Sequence, residues 1–249
     1  MNADHASSDP LPGSTRPSRL RKWVVIVLTV CVILYLMAAY VVFPGFWKAY
    51  TRHHPAFDDN PRITQTRDGH PGDPLNVGLV GTESQVIAIM HAAKWYAADA
   101  LSLKSDVKIA VDTVVDRPYD QAPISALYLF GRKEDLAFEQ PVGNNPRHRH
   151  HARFWRTHQT TQDGRPVWIG SATYDTRVGL SHTTGQVTHH IDADIDAERD
   201  HVMATLQQTH DLIERYVVQG FHTILQGRNG GGDPWHTDGA LAVGIIAVQ

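Results

Sequence analysis

The side chains best suited to chemistry are concentrated between Arg147 and Asp200 of this 249-residue chain. Seven of its sixteen histidines lie between His148 and His190, and the segment begins RHRHHARFW and ends THHIDADIDAERD. Imidazole titrates near neutral pH, and a neighbouring aspartate can fix the orientation of the ring. This composition therefore indicates general acid–base chemistry or binding of a charged group.

We select candidate residues from this segment by residue type. The candidate catalytic residues are His151, Asp175, His190 and Asp192. The candidate binding residues are Arg149, Arg153, His150, His189 and Tyr174. The two arginines could hold a phosphate or carboxylate through charge-assisted hydrogen bonds. A His/Asp set could also bind Zn²⁺ with an open position, but the spacing matches no established zinc signature, so no metal ligand is assigned and the cofactor is unknown.

Each candidate also has a purely structural interpretation. Adjacent histidines on a strand point to opposite faces, so one of each pair is expected to be buried and hydrogen-bonded. Asp192 precedes a predicted helix, where aspartates cap the first turn. The chain has no serine nucleophile elbow and no phosphate-binding glycine loop, and its single cysteine, Cys31, lies in the most apolar segment. The residues alone thus leave both an enzyme and a binding module open.

A predicted hairpin positions the candidates. Strands over His150–Arg156 and Pro166–Asp175 flank a loop containing Asp163-Gly164, a sequence typical of tight turns. Pairing of these strands would place Arg149 to His151 beside Thr173 to Asp175. The second group, at Thr188 to Asp192, must reach them through the fold.

The remaining pattern predicts a mixed architecture. Helices are predicted over Glu83–Ala98, Asp106–Val115 (with a strand as the alternative) and Asp196–Thr209. Further strands are predicted over Asn76–Gly81, Ser125–Phe130, Asp135–Gln140, Ile213–Leu225 and Ala240–Val248. Hairpins outnumber βαβ units, so the fold class is α+β, a mainly antiparallel sheet with a few packed helices, behind one N-terminal transmembrane helix.

The transmembrane prediction rests on Trp23 to Phe43, which carries no charge and is long enough to cross a bilayer. The alternative is a cleaved signal peptide, but the apolar run is longer than such peptides need. Four basic residues precede the run: Arg16, Arg19, Arg21 and Lys22. They outweigh Lys48 and Arg52 after it, so we expect a cytoplasmic N-terminus and a C-terminal domain on the periplasmic or extracellular face of the cell membrane.

The predicted organisation has four parts. Residues 1–22 form a disordered cytoplasmic tail, 23–43 the transmembrane helix, 44–74 a linker rich in proline, and 75–249 the exterior domain. The part after residue 22 is mildly acidic, which argues against nucleic acid as a partner because phosphate binding needs clustered lysine and arginine. The expected partners are the membrane itself and an envelope lipid or membrane protein.

Several motifs in one order resemble the LssY C-terminal domain family. They are DPLNVGLVGT (Asp73 to Thr82), APISALYLFGR (Ala122 to Arg132), RHHARFW (Arg149 to Trp155), GRPVWIGSATYD (Gly164 to Asp175) and THHIDADIDAERD (Thr188 to Asp200). Domains of this family follow membrane segments, sometimes phosphatidic-acid-phosphatase-like ones, so the resemblance implies an envelope context. It provides no catalytic residues to carry over.

These observations lead to two functional hypotheses. In the first, the chain is a membrane-anchored envelope domain with a His/Asp-based hydrolase site for an envelope or lipid-linked substrate. In the alternative, the same domain is a non-enzymatic binding or accessory module for an envelope component or a membrane-protein partner.

Overall fold

A computed structural model of the protein describes residues 19–51, 54–98, 126–143, 148–183, 185 and 187–248, which divide into an N-terminal helix and a following domain. The predicted helix over Asp106–Val115 and most of the predicted N-terminal tail lie outside the described residues.

The N-terminal helix runs without a break from Arg19 to Thr51. It consists of α1 (Arg19–Met37), a π-helical turn (Ala38–Val42) and α2 (Phe43–Thr51). Pro44 comes two residues after the π-turn. Its ring would clash with the carbonyl one turn earlier and it has no N–H to donate, so Pro44 accounts for the widening of the helix. Among the described residues, this is the one helix long and apolar enough to cross a membrane.

An eight-stranded sheet forms the centre of the domain. Its strands are β3 (Val77–Val80), β4 (Tyr96–Ala97), β7 (Leu136–Pro141), β8 (Arg149–Thr160), β9 (Pro166–Leu180), β10 (Val187–Ile191), β11 (Leu212–Val218) and β14 (Leu241–Ile246). Their order is β11-β14-β3-β9-β8-β7-β4, and β10 pairs with the far end of β9. All pairs of described strands in it are antiparallel except β3 with β14.

Both faces of this sheet are covered. Helices α3 (Glu83–Ala92) and α4 (Ile195–Gln207) bury their apolar stripes against one face, which includes Phe154 and Trp168. The other face, which includes Trp155 and Ile169, packs against residues of a smaller sheet. That sheet is formed by β1 (Ile63–Thr66), β2 (Pro71–Pro74), β5 (Leu127–Leu129) and β6 (Arg132–Lys133). A short hairpin, β12 (Gln226–Arg228) and β13 (Pro234–His236), stands apart in its pairing.

The α+β prediction, with a mainly antiparallel sheet and packed helices, is confirmed. Three boundaries differ. The helix predicted to reach Ala98 ends at Ala92, because Lys94 takes a left-handed conformation (φ 64°) and the chain turns into β4. The strand predicted to reach Leu225 ends at Val218, just before Gly220 turns the chain with φ 66°.

The third difference concerns the predicted linker over 44–74. Its first residues continue the N-terminal helix, and its last residues form β1 and β2. Phe57 within it is 1% exposed and belongs to the core on the small-sheet side. Two of its prolines, Pro71 and Pro74, lie in β2 at the edge of the small sheet, where a missing N–H costs little.

Candidate functional site

The β8–β9 hairpin sets the register of the candidate residues. Arg149 lies opposite Asp175 and His150 lies opposite Tyr174, so the predicted pairing is confirmed. Because side chains alternate along a strand, the hairpin divides the candidates between the two faces of the sheet. Arg149, His151 and Asp175 meet on the small-sheet side, whereas His150 and Tyr174 face the helices.

Five side chains form a buried group around Asp175, which we call the Asp175 cluster. Asp175 Oδ2 lies 2.9 Å from His189 Nδ1, 3.5 Å from His151 Nε2 and 3.8 Å from Arg149 Nε. Glu139 on β7 completes the cluster, with its Oε2 3.0 Å from Arg149 Nη1. The contact between Asp175 Oδ2 and His189 Nδ1 has hydrogen-bond length, and both atoms are buried.

Burial sets the protonation of this cluster. Desolvation lowers the pKa of His151 to about 3, so the ring is neutral over the physiological range. For Asp175, burial opposes ionisation, but the neighbouring His151 and His189 rings together with Arg153 outweigh it and lower the pKa of the carboxyl. Asp175 is therefore an ionised carboxylate, and the nitrogen of His189 that faces it carries the proton.

The guanidinium of Arg149 supplies positive charge in the cluster. Arg149 lies between the carboxylates of Glu139 and Asp175 and is itself 9% exposed. In the described part of the chain, no group of three or more His, Cys, Asp or Glu side chains is arranged to hold a metal ion. The Zn²⁺ hypothesis thus has no ligand set among these residues.

A cavity of about 530 Å³ opens beside the cluster, within the range of about 300–1,000 Å³ usual for small-molecule sites. Its polar wall includes Asp175, His189, Arg153 and Asp73. Residues from β1, β2, β5, β9 and β10 and from the loop between β12 and β13 line it, so it lies between the two sheets at the end of the hairpin. Sites at such junctions can bring together residues that are distant in the chain.

Asp73 is the second carboxyl in this cavity. Its Oδ1 accepts a hydrogen bond of 3.0 Å from Asn229 Nδ2, and its Oδ2 lies 3.5 Å from Arg153 Nη1. Burial nevertheless raises the pKa of Asp73, and the nearby charge of Asp175 adds to this rise. The two carboxyls are thus shifted in opposite directions.

The structure does not bring His190 and Asp192 into the Asp175 cluster. His190 Nδ1 instead lies 2.6 Å from Asp233 Oδ1, in a buried pair that ties β10 to the β12–β13 hairpin. Asp192 is exposed, and its carboxylate accepts the backbone N–H of Asp194 in the turn before α4. These contacts match the structural interpretation that the sequence left as the alternative.

His150 and Tyr174 belong to a different group on the helical face. His150 Nδ1 lies 2.7 Å from Glu198 Oε2 on α4, and its ring stacks on His201 at a centroid distance of 3.9 Å. The Tyr174 ring lies 5.0 Å from His150. These side chains connect the sheet to α4 on the face opposite the cavity.

Sequence reasoning missed Asp73, Asn229 and Glu139. Asp73 stands inside one of the motifs quoted above, but the prolines around it led us to assign it to a linker. Asn229 lies in a glycine-rich turn and bonds to a residue 156 positions earlier, a pairing that no local pattern reveals. Glu139 could have been found from the hairpin alternation, because β7 pairs with β8 and places Glu139 opposite His151.

Comparisons with known proteins give one match. The family model described as LssY C-terminus matches residues 57–241, about three quarters of the chain. No curated protein and no solved structure matches significantly.

Proposed function

Because the chain belongs to the LssY C-terminus family and carries a helix able to cross a membrane, we propose that it is a membrane-anchored envelope domain with a hydrolytic acid–base site in the cavity. The residues we assign to this site are Asp73, Asp175 and His189. The proposed substrate is an envelope or lipid-linked compound, which the membrane anchor would keep within reach.

One observation carries this proposal: two carboxyls face the same cavity with pKa values shifted in opposite directions. The pKa of Asp73 is raised by burial, whereas Asp175 is held ionised by its neighbours. When the environment shifts the pKa values of two titratable groups in opposite directions, one group can donate a proton while the other stays charged.

The assigned roles follow from the contacts. Asp175 orients His189 through Nδ1, which leaves Nε2 as the general base. His189 takes a proton from water, the water oxygen bonds to the electrophilic atom of the substrate, and the bond to the leaving oxygen breaks. Asp73 gives its proton to that oxygen. A proton then returns from His189 to Asp73 through solvent, so the site is restored.

A second candidate function is a binding module, which one contact favours. His189 Nε2 lies 3.5 Å from Arg149 Nη2, so a guanidinium N–H faces the lone pair that a general base needs. If this contact persists with ligand bound, His189 cannot accept a proton there. The cavity would then bind an envelope component without transforming it.

The test uses the full chain in lipid nanodiscs with a panel of nitrophenyl esters, glycosides and phosphates. We expect one class to be hydrolysed, and we expect Asp73→Asn and His189→Gln to lower kcat by about 10²- to 10⁴-fold each, the usual contribution of acid–base groups. The wild-type pH profile should show an acidic and a basic limb, and Asp73→Asn should remove the basic limb.

The matched control is Asp192→Asn, because Asp192 is exposed and does not line the cavity. This variant should retain wild-type kcat. Hydrolysis that survives both Asp73→Asn and His189→Gln would contradict the roles assigned to these residues, and a wild-type chain inactive on the whole panel would favour the binding module.

A further inference from the structure

We infer that the cavity takes a neutral, hydroxyl-rich ligand, a sugar or polyol, rather than a phosphate or a carboxylate. This inference names the substrate class of the site proposed above and rests on that proposal for its catalytic meaning. Binding itself requires only the cavity.

The first support is the pairing of the arginines that an anionic ligand would need. Arg149 does not line the cavity, and its guanidinium contacts Glu139 and Asp175. Arg153 does line the cavity, but its Nη1 lies 3.5 Å from Asp73. A phosphate would have to displace Asp73 from Arg153, and its negative charge would then lie beside the ionised Asp175.

The rim of the cavity does not restore a positive field. Arg67 and Asp68 are adjacent exposed residues of opposite charge, and both line the opening. Their charges are screened by water and oppose each other. The cavity thus provides many hydrogen-bonding groups without a net charge to attract an anion.

The second support is the kind of hydrogen-bonding group that the wall provides. Asp175 is 2% exposed and lines the cavity, while its Oδ2 faces His189, His151 and Arg149. An ionised carboxylate only accepts hydrogen bonds, so a ligand placed beside it must donate them. Hydroxyl groups donate, whereas a phosphate dianion offers acceptor oxygens alone and would be repelled.

The third support is the mixed wall. Leu127 and Ile191 add apolar surface, and Tyr128 adds an aromatic ring that is partly exposed. A sugar ring presents C–H groups on its faces and hydroxyls around its edge, so it matches a cavity with both kinds of wall. A small inorganic anion would leave the apolar part of the cavity unused.

The experiment measures binding by ligand-observed NMR and calorimetry, with the full chain in nanodiscs that contain no sugar-based detergent. The probes are glucose, mannose, galactose, N-acetylglucosamine, myo-inositol and glycerol, with inorganic phosphate and acetate as the anionic probes. We expect saturable binding of at least one neutral probe and none of the anions.

Two variants of Asp73 separate this inference from the proposed hydrolysis. Asp73→Asn keeps a hydrogen-bonding side chain of the same shape but has no acidic proton, so any binding of the neutral probe that it retains is independent of hydrolysis. Asp73→Leu should weaken binding by about tenfold or more, the loss expected for an unsatisfied polar contact. His158→Gln, an exposed change on β8, serves as the matched control and should leave binding unaltered.

Tighter binding of phosphate or acetate than of every neutral probe would overturn the inference, as would the absence of binding by the whole neutral panel. If the nitrophenyl assays show Asp73-dependent hydrolysis while these probes fail to bind, the acid–base site stands and the ligand class is wrong. If a neutral probe binds and the chain hydrolyses nothing, the ligand class stands and the catalytic proposal fails.

Discussion

His151 shows how burial can remove a charge from a candidate catalytic residue. Its side chain is 3% exposed and lies 3.5 Å from the Asp175 carboxylate. Attraction to this carboxylate favours the charged ring, but the desolvation cost is larger, and Arg153 and Arg149 add to it. We therefore interpret His151 as a neutral spacer that keeps Asp175 in place, and we assign the role of general base to His189, which lines the cavity.

The protonation of His151 predicts an acid-sensitive fold. Its pKa falls from an ordinary 6.5 to about 3 in the folded protein, so the unfolded chain binds the proton first as the pH falls. The stability that depends on the neutral ring is fully present above pH 6.5 and is lost progressively down to about pH 3, at about 1.4 kcal/mol per pH unit for one proton.

His151→Gln should therefore flatten the dependence of the unfolding free energy on pH between 6.5 and 4.5, whatever its effect at pH 8. Chemical denaturation of the wild type and the variant across this range provides the measurement. His158→Gln on the same strand is the control and should keep the wild-type slope. Parallel curves for wild type and His151→Gln would show that His151 is not held neutral.

At the scale of elements, Asn76 connects the helical layer to the sheet that bears the site. Its side chain is fully buried, and its Nδ2 donates to the carbonyls of Ala172 on β9 and Ile195 at the start of α4. Its Oδ1 accepts the N–H of Ala172. One amide thus satisfies three backbone groups where β3, β9 and α4 meet, close to the stretch of β9 that carries Asp175.

Asn76→Ala should destabilise the domain by about 3–5 kcal/mol, because truncation leaves several buried backbone groups without partners at roughly 1–3 kcal/mol each. Asn60→Ala is a suitable comparison, since Asn60 is also buried but its amide makes a single long bond of 3.3 Å to Phe57. That change should cost about 1 kcal/mol. Thermal and denaturant unfolding of the two variants would measure the difference, and equal losses would contradict the role given to Asn76.

The elements also show how far the sequence could predict this site. Alternation along β8 and β9 is a local property with a period of two, so the meeting of Arg149 with Asp175 followed from the hairpin turn. His189 joins the Asp175 cluster because β10 pairs with β9. The sequence predicted that these two segments would meet, but it did not predict the strand pairing that brings them together. Asp73 and Asn229 come together from opposite ends of the domain, and nothing local in either segment encodes that contact.

At the scale of the whole molecule, the N-terminal helix is long and apolar enough to cross a membrane. The helix spans 33 residues, or about 50 Å at 1.5 Å per residue, which exceeds the hydrocarbon core of about 30 Å. None of its central residues is buried within the protein, so its apolar surface is available to lipid. We therefore predict that the chain stays in the membrane fraction after alkaline carbonate washing.

The side of the membrane on which the domain lies is a separate prediction, and it depends on charge. Four basic residues precede the apolar run and two follow it: Arg16, Arg19, Arg21 and Lys22 before, and Lys48 and Arg52 after. Since basic residues near a span are retained on the cytoplasmic side, we expect alkaline phosphatase fused after Gln249 to be active and a fluorescent protein at the same position to be dark.

Exchanging the four preceding basic residues for glutamine leaves the following pair dominant and should reverse both signals in a large fraction of molecules. Asp4→Asn with Asp9→Asn should change neither signal, because acidic residues contribute little to orientation. A phosphatase fusion that is inactive in the wild-type chain would place the cavity in the cytoplasm, where an envelope substrate could not reach it.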